Sequence, residues 1–257
     1  MAKDTELEEL TTSDAARQWE AVGRLDIAGT GFCTGALIAD NLVLTAAHCL
    51  YTKSTGERLD PATIQFRAGW RNGRAEAYRT VRRAVIHPDY KFNSAVTTER
   101  VRNDVALLEL AQPIRNGRIT PFDIAPRPRK GQRVGVVSYA ADRAEAPSLQ
   151  EACRVMARQF GMLVLSCDVD FGASGAPVFT FDAGYAQIAS VISAKAEVRG
   201  NQVSLGTGLE KQVADLRSEL EAGGGVFQTS APRIRRVGEA QSDPEDTRAG
   251  GAKFIRP

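Results

Sequence analysis

Ala111-Gln-Pro-Ile-Arg-Asn-Gly-Arg-Ile-Thr-Pro-Phe-Asp-Ile-Ala-Pro-Arg-Pro-Arg-Lys-Gly131 holds four prolines and two glycines, the composition of a connection and not of an element. Before it, alternating or apolar runs near 21–27, 31–38, 42–46, 63–68, 76–86 and 104–110 alternate with Gly, Asn, Asp and Pro turns and predict strands. After it, a second set is predicted near 132–140, 148–157, 162–168, 177–181, 186–194 and 202–208. Two sets of six short strands with a Pro-rich crossing between them predict an all-β chain of two small antiparallel β-barrels or sandwiches. Each half has about 100 residues, enough for its own core.

The ends read differently. Residues 1–18 are polar without a strong strand pattern and are expected to be a leader or surface segment. Leu209, Val213, Leu216 and Leu220 fall at helical spacing on one face. Lys211, Arg217 and four acidic residues surround them, and Gly223 to Gly225 stop the run, so a C-terminal amphipathic helix docked on a barrel is predicted. The expected division is 1–18, a first barrel over 19–120, a second barrel with its helix over 121–225, and a mobile tail over 226–257.

Composition narrows the chemistry. The 257 residues are 43% hydrophobic and 25% charged, which is ordinary globular composition and excludes collagen-like or wholly disordered chains. A net charge of +2 is too balanced to imply nucleic acid as a main partner. No apolar run approaches the ~18 residues of a membrane helix. The two histidines, His48 and His87, sit in no ligand cluster, so neither a metal nor an organic cofactor is expected. Cys33, Cys49, Cys153 and Cys167 form two local pairs without a Cys-x-x-Cys. They suit two disulfides in an oxidising compartment, the alternative being four core thiols of a cytosolic protein. The acidic N-terminus lacks an apolar signal core, so secretion or periplasmic export implies a signal segment removed from this chain.

Three segments carry candidate chemistry. Leu44-Thr45-Ala46-Ala47-His48-Cys49 ends an apolar strand on a histidine, and Asn103-Asp104-Val105-Ala106-Leu107-Leu108 opens one on an aspartate. Gly172-Ala173-Ser174-Gly175-Ala176-Pro177 sets a serine among small residues that allow a sharp turn, with two N–H groups free to meet one oxyanion. A serine hydroxyl needs an adjacent base, and an imidazole base needs a carboxylate on its other nitrogen. Each segment also has a plain structural reading: a core histidine, a strand-start cap and a tight turn. The esterase elbow Gly-x-Ser-x-Gly is a rival for the third, but it expects a following helix, which Pro177 blocks, and a histidine last in the chain.

In the order His, Asp, Ser these motifs resemble the trypsin/chymotrypsin family of serine proteases, as a divergent bacterial-type member, over about residues 19–210. The resemblance implies a chymotrypsin-like fold of two six-stranded antiparallel barrels and a triad of His48, Asp104 and Ser174. It also implies an oxyanion hole of the Gly172 and Ser174 amides, a Cys33–Cys49 bridge bracing His48, and a Cys153–Cys167 bridge before the nucleophile turn. Asp168, six residues before Ser174, falls where family members that cleave after Lys or Arg carry a pocket-base aspartate; the alternative is a local backbone partner. Ser193 falls at the substrate-strand serine, and Lys195 on a pocket wall where it could pair with Asp168 or narrow the mouth. His87, before Pro88, is expected to be structural.

One departure matters. The family residue before the nucleophile is usually an aspartate that pairs with a new N-terminal ammonium, whereas here it is Ala173. Other packing is then expected to hold the oxyanion hole, and cutting or blocking the N-terminus to leave activity largely unchanged. The expected function is a monomeric serine endopeptidase acting on polypeptides, with cleavage after Arg or Lys as one outcome. A protease homologue serving as a binding module and an esterase using the same triad are the alternatives.

Overall fold

Ile64, Phe66 and Ala68 are buried while Gln65 and Arg67 between them are partly exposed, the period-two pattern of a strand with one face on a core. That pattern recurs through a chain of which the computed structural model describes residues 4–27, 31–92, 95–198 and 200–227. The strands of the first half are β1 (Glu8–Glu9), β2 (Val22–Ile27), β3 (Gly31–Ala39), β4 (Leu42–Thr45), β5 (Ile64–Ala68), β6 (Ala77–Ile86) and β7 (Ala106–Leu110). Those of the second are β8 (Arg133–Ala140), β9 (Arg143–Gln159), β10 (Met162–Leu165), β11 (Pro177–Asp182), β12 (Tyr185–Val198), β13 (Asn201–Gly208) and β14 (Val226–Phe227). The helices are α1 (Ser13–Ala16), α2 (Thr98–Asn103) and α3 (Glu210–Glu221).

The two sheets repeat one topology. In the first, β2-β3-β4-β7-β6-β5 are neighbours in that order, with β5 pairing back to β2 and β6 to β7, all antiparallel. In the second, β8-β9-β10-β13-β12-β11 follow the same order, closed by β11 on β8. Each is therefore a six-stranded barrel, extended to seven by a two-residue strand: β14 on β6, and β1 on β9. The apolar cores meet across the seam. Trp19 packs its ring 4.9 Å from that of Phe179 in β11 and 6.2 Å from that of Phe122 in the crossing. Val137, Tyr139 and Val191 of the second barrel join the cluster of the first.

The differences from the sequence reading are local. The strand expected near 148–157 runs from Arg143 to Gln159, because β8 and β9 continue as one long hairpin pairing Ala140 with Arg143. The strand expected at 162–168 ends at Leu165; Ser166 still donates its N–H to the Arg154 carbonyl at 3.0 Å, while its hydroxyl donates to Asp4 and accepts from the Arg154 amide. The polar leader is not merely surface chain. Its Glu8 and Glu9 pair with Leu149 and Ser148, and Leu10 is buried, so a polar strand gains order from the edge of β9 that receives it. Helix α2 was also not expected; Thr97 caps it by accepting from the Arg100 amide at 3.1 Å. Helix α3 matches its expected stripe, with Leu209, Val213 and Leu216 buried. The tail beyond Phe227 lies outside the described residues. No described helix is long and apolar enough to cross a membrane.

Candidate active site

Leu42 to Thr45 of β4 are all buried, and the chain then turns tightly through Ala47–Leu50, which sets His48 at the strand end with its side chain 11% exposed. Asp104 terminates α2, immediately before β7 enters the core, and is fully buried. The two meet twice. His48 Nδ1 lies 2.7 Å from Asp104 Oδ2, and the His48 backbone N–H donates to Asp104 Oδ1 at 2.9 Å. A third donor is the Ser193 hydroxyl, 2.5 Å from Oδ2. Burial alone pushes the Asp104 carboxyl up, but the His48 ring and the hydrogen bonds from His48 and Ser193 hold it below the usual carboxylate range. The carboxylate stays charged where its charge orients an imidazole.

Ser193 reaches that carboxylate through a bulge. Ile192 pairs with Gly206 and Ala194 with Leu205, so Ser193 is one extra residue in β12, and a bulge re-aims the side chain it carries. Its hydroxyl is buried against Asp104 and does not line the cavity that contains Asp168 and Lys195.

The Ser174 turn packs against the strand end that bears His48. Gly175 has φ +77°, and a Cβ there would fall 2.2 Å from Thr45 Oγ1 and 2.8 Å from the Ala46 nitrogen, so only glycine lets the two segments approach. The Thr34 amide donates to the Ser174 carbonyl at 2.9 Å, and Cys49 Sγ lies 3.9 Å from that same oxygen. Ser174 itself is half-buried.

Around the serine, four successive carbonyls are held. Phe171 O accepts from Ala141 N–H at 2.7 Å and Gly172 O from the Thr34 hydroxyl at 2.9 Å. Ala173 O accepts from Ala176 N–H and Ser174 O from Thr34 N–H, both at 2.9 Å. In a planar trans peptide the N–H points opposite to the C=O. The Gly172 and Ser174 amides therefore each point away from a carbonyl that is itself tied, that of Phe171 and that of Ala173, and neither has an acceptor among the described residues. Gly172, at φ +98°, leaves no room for a Cβ, which would lie 2.4 Å from the Phe32 ring. Ala173 is fully buried among apolar side chains, where no ion pair could form.

The remaining sequence-predicted residues divide. Cys33 is bonded to Cys49 with a Cα–Cα distance of 6.3 Å, and Cys153 to Cys167 at 5.0 Å, the pairing implied by the resemblance. Cys33, His48 and Cys49 have donor atoms within 4.8 Å of one another, but both sulfurs are consumed in the bridge and offer no thiolate to a metal. Asp168 and Lys195 are both exposed and line one cavity of about 150 Å³ with Ser166, Val169, Gln202 and Val203. The Asp168 amide donates to Gln150 Oε1 at 2.8 Å, so its backbone, not its carboxylate, is anchored. His87 is buried and accepts from the Asp89 amide at its Nδ1, while its own backbone N–H donates to the Val105 carbonyl at 3.2 Å. Sequence reasoning missed Thr34, Phe32 and Ala141, whose partners lie far away in the chain and leave no local pattern.

Against this geometry, three comparisons agree. The family model Trypsin matches residues 11–203. Glutamyl endopeptidase of Bacillus licheniformis is 24% identical over 209 residues, covering 79% of this chain and 64% of that protein. Human cathepsin G is 32% identical over 114 residues, covering 44% of this chain and 40% of that protein. The chain thus spans less than two thirds of the length of these curated relatives. A solved structure of a Glu endopeptidase in complex with MPD superimposes with a TM-score of 0.69 at 18% identity, covering 85% of this chain and 98% of that one, a likeness of fold. With its family model matched over most of its length and both barrels closed in the same strand order, the chain belongs to the trypsin family of serine proteases.

Proposed function

We propose that this protein is a serine endopeptidase that hydrolyses peptide bonds through Ser174, His48 and Asp104. Ser174 Oγ attacks the scissile carbonyl while His48 takes its proton. The resulting oxyanion receives the Gly172 and Ser174 N–H groups, each such donor lowering the barrier by about 3 kcal/mol. Collapse breaks the C–N bond as His48 returns the proton to the leaving amine, and water then hydrolyses the acyl-enzyme by the reverse sequence. The observation that carries this reading is the buried, charged Asp104 bound to His48 Nδ1, beside a serine turn whose Gly172 and Ser174 amides have no acceptor among the described residues.

A fluorophosphonate probe tests it. Labelling at Ser174, lost in Ser174→Ala, is the expected result, together with cleavage of a peptide amide. Absence of labelling in the folded protein overturns the reading, and turnover of an ester without its matching amide makes the protein an esterase. Within the same proposal, Asp168 is the group that attracts an Arg or Lys side chain, with Lys195 in the same cavity as its competitor. The protein acts as a monomer on polypeptides and needs no cofactor. Two disulfides suit an oxidising compartment, outside the cytosol.

A further inference from the structure

Thr34 is fully buried in β3, next to a disulfide cysteine, and every polar atom it owns is hydrogen-bonded, its N–H and hydroxyl across the joint between the barrels and its carbonyl within the first. Its N–H donates to Ser174 O at 2.9 Å, and its hydroxyl donates to Gly172 O at 2.9 Å. The same hydroxyl accepts from Tyr139 N–H at 3.1 Å, and its carbonyl accepts from Thr45 Oγ1 at 2.9 Å. Tyr139 N–H can only donate, so the hydroxyl proton is free for Gly172 and both capacities of the oxygen are used. One residue therefore ties two of the four carbonyls around the nucleophile and links them to β8 of the second barrel and to the strand that leads to His48.

We infer that Thr34 is the positioning residue that holds the oxyanion hole formed, in place of a charged lock at Ala173; this rests on the proposed protease reading. The Gly172 amide faces outward only while the 171–172 peptide keeps its plane. Gly172 has φ +98°, and a glycine tolerates rotation that other residues resist. The Ala141 amide holds that peptide from one side by its carbonyl. The Thr34 hydroxyl holds the next peptide through Gly172 O, so a flip of the 171–172 peptide must be taken up by ψ of Phe171 and φ of Gly172 while the 172–173 peptide stays pinned. Ala173, buried among Val136, Val178 and Ile192, supplies only packing. A neutral hydrogen-bonded lock of this kind is complete as soon as the chain folds and needs no cleavage to create a charge.

The test compares Thr34→Val, which keeps shape and removes the hydroxyl, with Thr34→Ser, which keeps the hydroxyl and removes the methyl. Thr34→Val is expected to lower kcat by about 10- to 100-fold, short of or reaching the loss of one oxyanion donor, with KM within about twofold. Affinity for a peptide aldehyde, whose hemiacetal oxygen occupies the hole, is expected to fall in parallel. Thr34→Ser is expected to restore kcat to within about threefold of the parent. The Gly172 and Ser174 amide resonances, read by NMR, shift in Thr34→Val and return in Thr34→Ser. A folded Thr34→Val with parental kcat and aldehyde affinity overturns the inference, as does a rise in KM alone. If the parent protein neither labels nor hydrolyses, the protease reading has failed, and the amide resonances still decide whether the hydroxyl sets the loop. Resonances unmoved in Thr34→Val overturn the inference in that case.

Discussion

Ser193 Oγ donates to the same carboxylate oxygen of Asp104 that meets His48 Nδ1, so one buried lone-pair region is shared by a hydroxyl and an imidazole. The carboxylate thereby keeps its charge despite full burial. Ser193→Ala removes a donor from a buried anion, an interaction worth about 1.5–3 kcal/mol. The variant is expected to lose about tenfold in kcat, while its Asp104 carboxyl, followed by NMR titration, moves up. Asp104→Asn is expected to lose about 10⁴-fold, because the amide favours the wrong imidazole tautomer. A Ser193→Ala enzyme with parental kcat would show that Asp104 needs only His48.

The N-terminal strand reaches the neighbourhood of the candidate specificity cavity. Asp4 accepts from Ser166 Oγ at 2.5 Å and from Arg154 Nε at 3.1 Å. Gln150 donates to Thr5 O at 2.9 Å and accepts from the Asp168 amide at 2.8 Å. Deleting residues 1–10 is expected to cost about 2 kcal/mol or more, from Leu10 burial and the lost hydrogen bonds, and to raise KM. Acetylating the N-terminus is expected to change neither. Urea unfolding and steady-state kinetics on both forms check this, and an unchanged midpoint after the deletion would refute it. The same two measurements test the expectation that cutting or blocking the N-terminus leaves activity largely unchanged.

Burial lowers the His87 pKa, opposed by Asp89 and Asp215 and reinforced by Lys211 and Arg102. Below the ordinary value of about 6.5 the unfolded chain therefore binds a proton more readily than the folded one. The His87 contribution is fully present above that pH and is lost as pH falls through the depressed folded value. Urea midpoints between pH 7.5 and 5 are expected to fall more steeply for the parent than for His87→Gln. Parallel slopes would show that His87 titrates alike in both states.

Asp168 and Lys195 share one small cavity, so each tunes what the other can attract. Lys195→Ala is expected to raise kcat/KM for peptides with Arg or Lys before the scissile bond, by several-fold at partly exposed sites. Asp168→Ser is expected to lower it. Profiling both variants on a peptide library reads the two effects together, and unchanged cleavage after Arg in Asp168→Ser removes Asp168 from recognition.

The strand periods, the proline-rich crossing and the apolar stripe of α3 were legible because each is a local pattern of burial, repeated every two or 3.6 residues. His48, Asp104 and Ser174 stood out as motifs, since chemistry demands particular residue types in particular surroundings. The leader's strand was invisible for the opposite reason: Glu8 and Glu9 have no β pattern of their own and pair only because β9 offers an edge.

From its residues alone this chain declared two barrels, two local cysteine pairs and three candidate side chains. Tertiary structure alone decided that Ser193 turns inward on a bulge to Asp104, that Asp168 and Lys195 stand exposed together, and that Thr34 links Gly172 and Ser174 to both barrels. The physical reason is separation along the chain: the Thr34 hydroxyl and the Gly172 carbonyl are 138 residues apart. A hydrogen bond between groups that distant is chosen by the docking of one barrel on the other, and no short window of sequence contains both partners.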